Sequence, residues 1–195
     1  MRVAGGVRSR LLICGLVLGG AGMLLFGTVH AIVIVPIWSR LLRGLPFVIV
    51  VGCLVTWAYH EYRRSAMPSP SWETGLRFGS LMWLAGLPAM ALGFGARLKS
   101  SPGPVAWWVD VATAALAALG GGALLWSFTR TRRGALAGAI ALGLLLAYNG
   151  GPMPIEHRAR AFGLPAGYLV VETVGGVVLA LVYARLVTPP LLKSG

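Results

Sequence analysis

The chain has 195 residues, 57% of them hydrophobic and 11% charged, with a mean hydropathy of +0.79, whereas ordinary soluble domains carry roughly 25% charged residues. These values exclude a soluble globular domain and point to a polytopic membrane protein. The net charge of +12 would suggest nucleic acid in a soluble chain, but here the 17 Lys and Arg fall between and beside apolar runs, as membrane anchors do, so no nucleic-acid partner is expected.

A bilayer core of about 30 Å needs roughly 20 apolar residues per helix. On that measure the chain is all-α, a single membrane domain over 1–195 with about six spans (11–38, 45–62, 76–96, 104–128, 135–148 and 164–187) and no soluble domain. The first run, Leu11–Trp38, follows Arg2, Arg8 and Arg10. It is too long for a signal peptide and has no small-residue cleavage site, so it reads as a long, tilted span. Cys14 here and Cys53 in the second span belong to no CxxC or Cys/His cluster and read as small buried hydrophobes. The second span ends on Tyr59-His60-Glu61-Tyr62-Arg63-Arg64, read as a solvated helix end. His60-Glu61 lacks the second histidine of a zinc-protease helix.

A Pro/Ser stretch, Ser65–Ser71, leads to the third span, where Pro88 is expected to kink the helix. The fourth carries Asp110 near its start and Gly120-Gly121-Gly122 further on; that run follows no strand and reads as a weak or bent point. The fifth, Ala135–Tyr148, is short and Gly-rich. A loop rich in Gly and Pro, Asn149–Arg158, then runs into the sixth span and its carboxylate, Glu172.

Small residues recur at helix-packing spacing in Gly15/Gly19, Gly75/Gly79, Gly134/Gly138, Gly163/Gly167 and Gly176/Ala180/Ala184, which suits close packing within one subunit. Trp38, Trp57, Tyr59, Tyr62, Trp72, Trp107, Trp108 and Trp126 fall near span ends and read as an interfacial belt. With the N-terminus inside, 11 basic residues face the cytoplasm and 6 the opposite side, accounting for all 17. This predicts an inner (cytoplasmic) membrane protein with both termini in the cytoplasm.

An acid inside a membrane-length apolar segment is expensive, so it is usually paired, lines a cavity or works. Counting from the predicted outer span ends, His30, Asp110 and Glu172 lie at one level, roughly 9 to 12 Å below the outer surface at about 1.5 Å per residue. The loop before the sixth span can fold over them and bring Glu156 and His157. Imidazoles with carboxylates suit a divalent metal, and Glu172, Asp110 and His30 are the candidate ligands; proton relay is another use of such groups. The bland readings are an interfacial Asp110, a His30 bonded to a neighbouring carbonyl, and a Glu172 paired with Arg97, Arg158 or Arg160. A bis-histidine haem is not expected, because the helical candidates His30 and His60 fall near opposite faces of the membrane. No catalytic residue and no cofactor can be named. The sequence therefore leaves two functional readings. The first is a non-catalytic subunit or scaffold whose partners are the lipid bilayer and other membrane subunits. The alternative is a transporter or membrane-embedded metal-dependent enzyme with the outer-half polar site.

Overall fold

Local signals of familiar kinds set where the helices begin and end. The computed structural model describes residues 6–20, 38–66, 69–99, 107–149 and 165–187. Among these there are six helices and no strand: α1 (6–20), α2 (Trp38–Ser65), α3 (Ser71–Lys99), α4 (Trp107–Thr129), α5 (Arg132–Asn149) and α6 (Pro165–Leu186). α3 follows Pro70 and holds Glu73 in its first turn, where a negative charge offsets the helix dipole. α5 is capped by Thr131, whose Oγ1 accepts from the Gly134 N–H at 3.0 Å. α6 opens on Pro165, a residue preorganised for the first helical position.

Several boundaries differ from the sequence reading. Trp38, expected to close the first span, opens α2, and Arg40, Arg43 and Pro46 lie inside that helix rather than in a loop before it. Arg and Leu are good helix formers whatever their charge, so a cluster of arginines does not by itself end a helix. Among the described residues, α3 over Ser71–Gly93 and α4 over Trp107–Thr129 are long and apolar enough to cross a membrane. The other expected spans are not among these, and most of the first lies outside the described residues. α2 includes Arg40, Arg43, Glu61, Arg63 and Arg64, and α5 has only 18 residues, beginning with two arginines.

Packing is built on two intimate antiparallel pairs, α4 with α5 and α3 with α6, joined where α3 meets α4. α2 lies against α5 and α4, and α1 rests on α2 through Gly15 and Gly19. α4 buries Val109, Thr113, Ala117, Gly121 and Leu125, one residue per turn along a single stripe. Towards the C-terminal end of that stripe, Gly121 and Gly138 of α5 each sit against the other's carbonyl oxygen, leaving no room for a Cβ on either. Gly75 and Gly176 repeat the arrangement between α3 and α6. Such approach brings Cα–H groups onto carbonyls and maximises dispersion contact. The triple glycine expected to weaken α4 therefore has a packing role: Gly120 abuts the Ala85 carbonyl of α3 while Gly121 abuts α5, so one helix is held closely on two sides. The outward faces are apolar, with Leu119 of α4 at 70% exposure and Val170, Val174, Val178 and Leu181 exposed along α6.

Candidate functional site

Of the residues expected to form the outer polar site, His30, Glu156 and His157 lie outside the described residues. Asp110 is exposed in the first turn of α4, beside exposed Trp107 and Trp108. A carboxylate there complements the helix dipole. Glu172 is half-buried on α6, and its backbone carbonyl packs against Gly79 of α3.

These placements do not share a level. Phe78 and Phe128 both contact the Tyr62 ring, and Gly120 abuts Ala85, so α3 and α4 run antiparallel. Asp110 is ten residues from Gly120 towards one end of the bundle, and Gly79 is six residues from Ala85 towards the other. At about 1.5 Å per residue the two acids are roughly 24 Å apart along the bundle. α4 and α6 are also not among the closely packed helix pairs. Their equal depth assumed that both spans start at the membrane surface. Instead α6 begins opposite the middle of α3, which runs on to Lys99. Among the described residues no three His, Cys, Asp or Glu side chains gather as a metal site.

The side chains that do converge lie at the opposite end, where α2, α4 and α6 finish and α3 and α5 begin. The run expected to be a solvated helix end is packed: Tyr59 is 0% exposed, Tyr62 3% and Glu61 9%. Tyr59 stands edge-on to Phe78 of α3 and Tyr183 of α6, with ring centroids 5.3 and 5.1 Å away. The Tyr62 ring meets Phe78 and Phe128. Tyr59 and Tyr62 are buried in this packing, whereas Trp72, Trp107, Trp108 and Trp126 are exposed.

His60 Nδ1 and the Tyr183 hydroxyl share a hydrogen bond of 2.5 Å between α2 and α6, two helices whose backbones scarcely approach. The Arg63 guanidinium lies 5.6 Å from the centre of the Tyr183 ring, within cation–π range. Among the described residues the buried Tyr59 hydroxyl and Arg63 Nη1 meet no full hydrogen-bond geometry, although the two side chains lie close enough to interact. Chemically this cluster is a clamp. It ties four helices through rings and one polar link, and its one imidazole is held by a phenol, with no carboxylate bonded to it among the described residues. Glu61 and Arg64, spaced for an i,i+3 ion pair, do not form one; the ion pair at this end joins Arg77 to Glu73.

Tyr183 is not singled out by its residue type. Its position on the Gly176–Ala180 face, one turn further along, is the signal that places it in the interface. Comparison with protein-family models, with curated proteins and with solved structures finds no match.

Proposed function

We propose that this chain is a multi-pass protein of the inner (cytoplasmic) membrane, with six helices crossing and both termini in the cytoplasm, and that it works as a non-catalytic subunit or scaffold of a membrane complex. The observation that carries this reading is how the polar groups are used. Asp110 and Glu172 are separated along the bundle, and the groups that converge, Tyr59, His60, Arg63 and Tyr183, hold helices together. The apolar outward faces of α4 and α6 suit a lipid solvent and contacts with other membrane subunits. The 11-to-6 distribution of basic residues supports the orientation.

The alternative, a transporter or metal-dependent enzyme, draws support from Glu172, a half-buried acid within an apolar helix. In that reading His30, Glu156 and His157 supply the remaining groups, and Asp110 stands apart.

Purification of the full chain in mild detergent separates the two. A second membrane protein at fixed stoichiometry, whose level in the membrane falls when this chain is deleted, supports the subunit reading. A solitary chain carrying stoichiometric metal that Glu172→Gln abolishes refutes it. Reporter fusions after residue 195 and within 150–160 test orientation: the first is expected in the cytoplasm and the second outside. An external C-terminus means that the number of crossings is odd.

A further inference from the structure

The α4–α5 turn breaks two local rules at once. Arg130, the residue after α4, has φ 52°, a left-handed conformation that helix ends ordinarily give to glycine or asparagine. Arg132 and Arg133 occupy the first turn of α5, which contains no acidic residue. Positive charge there is repelled by the helix N-terminus, and each arginine also repels its neighbours. All three side chains are exposed, and none is in an ion pair among the described residues. The turn is nevertheless well ordered by its own bonds: the Arg130 N–H donates to the Trp126 carbonyl at 2.8 Å, and Thr131 caps α5. Local rules broken together at one ordered place point to a partner that compensates them, and here that partner must be an anion.

A second observation says where the anion comes from. Trp126 and Phe128 are exposed on the last turn of α4, immediately before the arginines. An exposed Trp of this kind sits at the headgroup level of a membrane, so on the membrane reading the turn lies where lipid phosphates are densest. The guanidinium group binds phosphate through paired N–H donors, and the α5 N-terminus adds its own partial positive charge.

We propose that the α4–α5 turn is a binding site for anionic phospholipid headgroups, formed by Arg130, Arg132 and Arg133 beside the exposed Trp126 ring. The site rests on the membrane reading given above and assigns this turn to a leaflet containing anionic lipid.

Native mass spectrometry of the full chain, released from micelles holding equal phosphatidylglycerol and phosphatidylcholine, tests it. The parent protein is expected to retain phosphatidylglycerol in preference. Each arginine near an anionic surface contributes about fivefold, so Arg130→Gln/Arg132→Gln/Arg133→Gln should reduce that retention by at least about tenfold and leave phosphatidylcholine unchanged. The three-lysine counterpart keeps the charge and should stay within about fivefold of the parent. A control removes equal charge from elsewhere at the same end, Arg8→Gln/Arg64→Gln/Arg185→Gln, all exposed; because those three arginines do not share one turn, it should lose clearly less than the turn variant. Equal retention of the two lipids by the parent, or equal losses in the turn and control variants, overturns the proposal. Release of the chain from membranes by alkaline carbonate is a different failure, because it removes the membrane reading itself.

Discussion

The reciprocal contact of Gly121 with Gly138 makes a prediction whose sign is opposite to intrinsic helix propensity. Replacing glycine by alanine within a helix ordinarily stabilises by about 0.5 to 1 kcal/mol. A Cβ on Gly121, however, would lie 2.8 Å from Leu142 Cβ and 2.9 Å from the Gly138 carbonyl carbon, where carbon atoms settle at about 3.5 to 4.0 Å. The obstacle includes backbone, so no side-chain rotation relieves it, and α4 and α5 must part by roughly 0.6 to 1 Å. A gap of that size forfeits about a quarter to a half of the dispersion well of each atom pair across the crossing. Overfilling a packed contact costs about 1 to 3 kcal/mol. After the propensity gain, Gly121→Ala should destabilise by about 1 to 2 kcal/mol, a factor of roughly 5 to 30 in the folded ratio. Gly175, one residue before the packed Gly176, faces open space: a Cβ there would meet nothing within 4 Å. Gly175→Ala should therefore stabilise by the propensity term alone, about 0.5 kcal/mol or slightly more. Reversible unfolding in mixed micelles of rising dodecyl sulfate content measures both. Gly121→Ala as stable as the parent, or the two variants shifting in the same direction, refutes the close-packing argument.

Two further predictions concern the polar groups. Tyr183→Phe removes the hydroxyl bonded to His60 Nδ1 and should cost about 1 to 2 kcal/mol, whereas Tyr59→Phe removes a hydroxyl that meets no full hydrogen-bond geometry among the described residues and has the Arg63 guanidinium beside it, and should cost less; equal losses in the same unfolding assay contradict the clamp. Asp110→Asn and Glu172→Gln should act independently, their double-mutant coupling within about 0.5 kcal/mol of zero, as expected for residues farther apart than about 10 Å. A coupling above about 1 kcal/mol means that the two acids meet after all.

Helical content and the small-residue faces were legible from the sequence because both are local. Apolar runs favour helix over their own length, and glycine at every fourth position shares one face whatever that face meets. Gly15/Gly19, Gly75/Gly79 and Gly176/Ala180 accordingly lie where helices meet, while of Gly134/Gly138 the second packs on α4 and the first abuts Thr129 across the turn. Relative height in the bundle is a different kind of quantity. It depends on how far one helix slides along another, and it was decided by contacts such as Gly79 on Glu172 and Gly120 on Ala85. That sliding separates Asp110 from Glu172. The same dependence on neighbours explains Tyr59-His60-Glu61-Tyr62, a polar and aromatic run that resembles a wet helix end until Phe78, Phe128 and Tyr183 arrive from three other helices to bury it. Residue type and spacing therefore determined the helices and the faces on which they pack. Which polar groups meet was settled only by tertiary register, because an axial shift between helices leaves every local preference satisfied.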